Sequence, residues 1–287
     1  MTAATDPQLV PLDRAELIEL SGSDAIAFAH AQFASDVAGL DVGAWQWSAW
    51  LNAQGRTRAV FALMRTGADD LLAWLPLGGA AKMRDLLARF LFRSKVNLAV
   101  RDHWSLCRVD AVAGDLPSDR RLTGYSSGYA FAQPGPLPRI AWLGPARDVS
   151  DDATAREAWR LADIAAGLPW LADATTEEFV PQALDLARLD AIRFDKGCYP
   201  GQEIAARLHF RGGNKHRLHR ISLTGEGDAL PGTVIESADG TAGSILYSAR
   251  SEDGTREALA VLSDAASSLP LRSVSGHRVS ILARYGQ

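Results

Sequence analysis

The chain carries only two cysteines in 287 residues, Cys107 and Cys198, and no C-x-x-C pair. That excludes a disulfide framework and a zinc site built on paired thiolates. It also lacks an excess of positive charge. Thirty Lys and Arg stand against 34 Asp and Glu, a net charge of −4, so no global field recruits nucleic acid. No apolar run approaches the ~20 residues that a membrane span needs. The first residues carry Asp6, Asp13, Arg14, Glu16 and Glu19 where a signal peptide would have an apolar core. These absences predict a protein of the reducing bacterial cytoplasm, with no membrane association and no stable nucleic-acid partner.

What is present is an ordinary globular balance, 47% hydrophobic and 22% charged, at a length that suits two or three compact units. The pattern predicts a short strand at Leu17–Leu20 and a helix over Asp24–Ala38, capped by Ser21 or Ser23 and ended by Gly39. Strands follow at Trp45–Leu51, Thr57–Arg65 and Leu71–Leu75, separated by turn sequences. A helix is expected at Met83–Phe92, strands at Val96–Val100 and Ser105–Val112, and loop with short strands from Pro117 to Pro138. Further helices are expected at Glu157–Ala166 and Gln182–Leu189. After Leu218 the texture becomes short strands and turns, the pattern of a small β-barrel. Mixed helices and hairpins without β-α-β alternation predict an α+β fold with antiparallel sheet.

The most informative stretch is Lys196-Gly-Cys-Tyr-Pro-Gly-Gln-Glu203, continuing to Ala206-Arg207. Pro200 suits the first turn of a helix, and Gln202–Leu208 can continue it. Cys198 would then precede a helix N-terminus, with Lys196 two residues away. Both a positive helix pole and an ammonium favour a thiolate. The bland alternative is a buried, inert cysteine in a turn.

This block resembles the signature of the YgfZ family, which shares its fold with the T-protein of the glycine cleavage system. Other segments resemble the family in the same order: Gly22-Ser-Asp-Ala25, Ser35-Asp-Val37, Asn52-Ala-Gln-Gly-Arg56, Trp159–Pro169, Phe179-Val-Pro-Gln182 and Phe210–Lys215. The resemblance implies a T-protein-like α+β fold, with antiparallel sheets, packed helices and a small C-terminal β-barrel around a central folate-sized hole. It implies a folate-binding region over 7–217, in two units of about 7–103 and 104–217, either consecutive or one inserted in the other, and a barrel over 218–287. It further implies tetrahydrofolate or a derivative as cofactor, and a role in assembly or repair of iron–sulfur clusters, including those of transfer RNA-modifying enzymes. Client iron–sulfur proteins would be transient partners of a monomer. The alternative is a folate-dependent aminomethyl or one-carbon transferase. Against it, Ala59 and Val60 stand where the T-protein carries adjacent aspartates, and methylene transfer wants a carboxylate there.

On this resemblance Cys198 and Lys196 form the reactive centre, and Trp159, Arg160, Gln182, Asp36, Glu203 and Arg207 are candidates for folate. Each has a plainer reading. Trp159 can stack on a pterin or pack in a core. Arg160 can pair with the glutamate tail or face solvent, and Gln182 can meet a pterin edge or be a surface amide. Asp36, placed on the first helix, and Glu203 can be helix-terminal charges. Arg207 opens a basic run through His209, Arg211, Lys215, His216, Arg217, His219 and Arg220. That run can bind a polyglutamate tail, an RNA or an acidic partner, or be a solvated face. Trp45, Trp47 and Trp50 share one strand and suit core packing better than ligand contact.

Overall fold

The computed structural model describes residues 8–110, 120–147 and 152–286. The first elements of the described residues are a 14-residue strand, β1 (Gln8–Ser21), and a short helix, α1 (Ala25–Gln32). Strands β2 (Ala44–Leu51), β3 (Thr57–Arg65) and β4 (Asp70–Leu75) fall where the apolar runs place them. Helix α2 (Ala80–Ala88) leads into β5 (Asn97–Asp110). Strands β6 (Thr123–Tyr125), β7 (Gly128–Gln133) and β8 (Arg139–Pro145) complete an antiparallel sheet of order β2-β3-β4-β1-β5-β8-β7-β6.

The chain resolves into two compact units, one drawn from 1–30, 37–46 and 61–156, the other from 31–36, 47–60 and 157–287. In the first, Leu17 pairs with Trp74 and Leu20 with Leu71 on one side of β1, while Leu20 meets Leu98 on the other. Trp45 and Trp74 close edge-on to Phe131 at 5.1 and 6.1 Å. Edge-to-face contact is the arrangement that the ring quadrupole favours.

The second unit holds helix α3 (Ala153–Ala166, from Glu157 on), helix α4 (Gln202–Arg211) and a closed barrel. The barrel strands are β9 (His216–Thr224), β10 (Val234–Ser237), β11 (Gly240–Arg250), β12 (Arg256–Ser263), β13 (Leu271–Ser273) and β14 (Arg278–Arg284), in the order β10-β11-β12-β9-β14-β13. Alternate residues point inward, so Ile221, Leu223, Ile235, Ile245, Ala258, Ala260 and Leu262 make its core. The buried Tyr247 donates its hydroxyl to the Leu168 carbonyl at 2.7 Å, fixing the segment after α3 to the barrel.

Several local expectations are corrected. The first helix ends at Gln32 rather than Ala38, because Phe33 bridges to Trp50 and Ala34 N–H donates to Ala49. Asp36 therefore lies beyond α1, not on it. Helix α2 begins at Ala80 rather than Met83, because Glu16 on β1 accepts the N–H groups of Gly79 and Ala80 at 3.0 and 3.1 Å. Such a cap comes from far along the chain and leaves no local signature. Strand β5 runs unbroken through Arg101–Trp104, carrying one extra residue there opposite Ala15–Leu17 of β1, a register shift that the pairing absorbs. The segment Gln182–Leu189 is a series of turns, with Asp185 at φ 54° incompatible with a helix. The short strands expected within 117–138 are present as the β6–β7 hairpin; residues 117–119 lie outside the described residues, as do the last two of the strand expected at Ser105–Val112. Among the described residues no helix is long and apolar enough to cross a membrane.

Candidate functional site

The signature block forms a loop pinned on both sides of a solvent-exposed thiol. Its entry is fixed where Arg193 N–H donates to the Ala34 carbonyl at 2.8 Å. The Arg193 guanidinium holds Asp195 through two bonds of 2.9 and 2.7 Å, which keeps that exposed carboxyl below its ordinary range. Lys196 turns inward. Its Nζ donates to the carbonyls of Phe33 and Ser35 at 2.7 and 2.8 Å and lies 5.2 Å from the centre of the Tyr199 ring. Burial pulls its pKa down to about 8, and the Asp36 carboxylate nearby works in the opposite direction.

Tyr199 is buried, and its hydroxyl donates to the Arg193 carbonyl at 2.8 Å. Burial holds that phenol above its ordinary range. Between these two anchored side chains, Cys198 is exposed. Cys107, by contrast, is fully buried beside Ala130, Ile140 and Trp142, and burial pushes its thiol up to about 11. Free cysteines are commonly buried, so an exposed thiol next to the buried Tyr199 is a distinct arrangement.

The exit of the loop rests on the β2–β3 turn. Asn52 Oδ1 accepts from Gln54 and Arg56 N–H at 3.0 and 2.9 Å, closing that turn. Gly201, left-handed at φ 76°, passes directly over it. Helix α4 then starts at Gln202, so Pro200 precedes the helix rather than occupying its first turn. Three residues separate Cys198 from the helix start. The ammonium expected beside the thiol is committed to two backbone carbonyls.

Of the candidate residues, Lys196 has the Asp36 carboxylate nearby, and Gln182 is tied to the helix that follows the loop. Gln182 donates Nε2 to the Ala205 carbonyl on α4 at 2.7 Å. Its Oε1 is buried with no hydrogen-bond partner among the described residues. Gln182 also lines a cleft of about 800 Å³ with Phe194, His209, Arg188 and Arg217. Glu203 sits exposed in the first turn of α4, where a negative charge suits the helix pole. Arg207 is exposed one turn further on. Trp159 and Arg160 stand on α3; the first is buried, the second lies 3.9 Å from Glu157. Ala59 and Val60 are buried apolar positions of β3.

Sequence reasoning did not anticipate the carbonyls of Phe33 and Ser35 as the seat of Lys196. Backbone acceptors have no residue signature, and only the early end of α1 exposes them. The basic run divides in the structure. His219 is buried, Arg217 faces Asp264 at 3.5 Å and Arg220 is paired with Glu257 at 2.6 Å, while Arg207, Arg211 and Lys215 remain exposed.

No family model matches the chain. An uncharacterized protein of Haemophilus influenzae is 30% identical over 230 residues, covering 80% of this chain and 78% of its own. The tRNA-modifying protein YgfZ of Escherichia coli is 29% identical over 280 residues, with 86% and 82% covered. Its counterpart in Sodalis glossinidius is 26% identical over 283 residues, with 89% and 85% covered. Among solved structures, the glycine cleavage system aminomethyltransferase T of Bartonella henselae superimposes with a TM-score of 0.70 at 12% identity, covering 96% of this chain and 84% of its own. At that identity the likeness is one of fold.

Proposed function

Because the chain belongs to the YgfZ family, we propose that it binds tetrahydrofolate or a derivative and acts as an accessory factor in transfer RNA modification, through assembly or repair of iron–sulfur clusters in the modifying enzymes. The observation that carries the reading is the exposed Cys198 held between the half-buried, hydrogen-bonded Lys196 and the buried Tyr199. Anchoring both neighbours fixes where the sulfur is presented, at little entropic cost when it meets a partner. Sulfur is a soft donor and a strong nucleophile, suited either to hold iron transiently or to attack an electrophilic sulfur.

The residues present suit a folate. The buried Oε1 of Gln182, without a partner among the described residues, is an acceptor of the kind that an N–H of a pterin edge would satisfy. The cleft it lines, about 800 Å³, falls in the size range of small-molecule sites. Arg188 and Arg217 line the same cleft, already facing Asp185 and Asp264, and a glutamate tail would share their positive charge with those carboxylates. Tetrahydrofolate, when bound, supplies a one-carbon carrier and a reduced pterin; the chain supplies orientation and the thiol. The buried apolar side chains of Ala59 and Val60 offer no proton acceptor for amine chemistry, which speaks against the aminomethyl transferase reading.

Complementation tests this reading. In cells lacking the protein, wild type should restore the modified nucleosides made by iron–sulfur enzymes, and Cys198→Ser should not. Full restoration by Cys198→Ser would remove the thiol from the account.

A further inference from the structure

Between Glu203 and Glu226 the sequence holds no acidic residue, while Arg207, His209, Arg211, Lys215 and His216 are all exposed. Arg207, Arg211 and Lys215 make no ion pair among the described residues, unlike Arg217 and Arg220. Arg207 and Arg211 are four apart on α4 and share a face with Phe210. Phe210 is 73% exposed, an unusual state for a phenylalanine on a helix of a folded unit. It is the outer member of an aromatic cluster. His209 stacks on Phe194 at 4.4 Å and 22°, and Phe210 stands edge-on to both rings at 4.9 and 5.8 Å.

We propose that this face of α4, with Lys215 beyond it, is a docking surface for unpaired RNA: a base stacks on Phe210, and the backbone phosphates meet Arg207, Arg211 and Lys215. An exposed ring held rigidly by its neighbours and bordered by free cations is the arrangement that binds single strands without reading sequence. The charges alone would fit an acidic protein segment, but that partner gives no role to an exposed ring with cations on its own helix face. The exposed imidazoles of His209 and His216 each offer a donor and an acceptor in the neutral form, which suits a 2′-hydroxyl. A net charge of −4 confines the attraction to this patch. None of Arg207, Phe210, Arg211 or Lys215 lines the Gln182 cleft; the surface adjoins that cleft at Phe194 and His209, and the proposal does not rest on the folate reading.

The test is fluorescence anisotropy with a labelled oligouridine of about twelve nucleotides, a length within the range of single-strand sites. Wild type should bind saturably, with a salt slope near −2 from about three phosphate contacts at roughly −0.7 each. Phe210→Ala should weaken binding roughly tenfold and Phe210→Tyr should retain it. Arg211→Ala with Lys215→Ala should flatten the salt slope by about 1.4. All three variants alter exposed side chains and should keep the wild-type melting temperature and tetrahydrofolate affinity. The proposal is overturned if binding is absent, if Phe210→Ala binds like wild type, or if polyglutamate displaces the RNA at equal charge. Equal affinity for the matching single-stranded DNA would overturn the assignment to RNA.

Discussion

Gly201 lies against Asn52 so closely that a Cβ at position 201 would stand 2.4 Å from the Asn52 carbonyl oxygen. The same atom would lie 2.8 Å from Gly55 Cα, and the backbone at 201 is left-handed at φ 76°. Both neighbours are backbone and cannot swing aside. Gly201→Ala should therefore destabilise the protein by about 2–4 kcal/mol, combining left-handed strain with overpacking. Urea unfolding measures this, and a loss below about 1 kcal/mol would mean that the loop does not rest on the turn as described.

The two cysteines should separate cleanly by reactivity. Cys198 is exposed, whereas Cys107 is fully buried with its thiol pushed up to about 11. A chromogenic disulfide reagent should titrate one thiol in the native protein and two in denaturant. Native Cys198→Ser should react negligibly. Rapid reaction of that variant would show Cys107 to be accessible.

Lys196 should leave a mark on the pH dependence of stability. Its folded pKa is lowered to about 8 from an ordinary 10.5. Between those values the unfolded chain binds the extra proton, so stability rises with pH across the interval. Below about pH 8 both states are protonated and the contribution is flat at its least favourable level. Relative to Lys196→Met, wild type should thus gain stability from about pH 8 to about pH 10, read by denaturation at each pH. Parallel profiles would contradict the burial of the amine.

Tyr199→Phe removes a hydroxyl that serves the Arg193 carbonyl at 2.8 Å. Leaving that acceptor unserved should cost about 1–2 kcal/mol while sparing the ring contact with Lys196. Thermal denaturation checks it; an unchanged midpoint would mean that solvent replaces the bond.

Much of this architecture was legible because apolar runs and turn residues act locally. Strands β2, β3 and β4 fall within one residue of their expected bounds, and the barrel announces itself through short alternating segments. The errors arise where a distant partner decides. Glu16 caps α2 from another element, and Trp50 draws Phe33 out of α1. The signature block marked the position of Cys198, but not the reason its loop is rigid. That reason lies in the carbonyls of Phe33, Ser35 and Arg193, which every residue possesses. Nor could a run of basic letters show that Arg217 and Arg220 are paired while Arg207, Arg211 and Lys215 make no ion pair among the described residues.

The most direct test of the central claim is a tetrahydrofolate titration followed by tryptophan quenching, on wild type, Gln182→Ala and Cys198→Ala. The expected result is saturable binding in wild type, a loss of roughly tenfold in Gln182→Ala from one hydrogen bond to a buried acceptor, and no change in Cys198→Ala. Absence of saturable binding in wild type would contradict the claim and leave the exposed thiol without a folate partner.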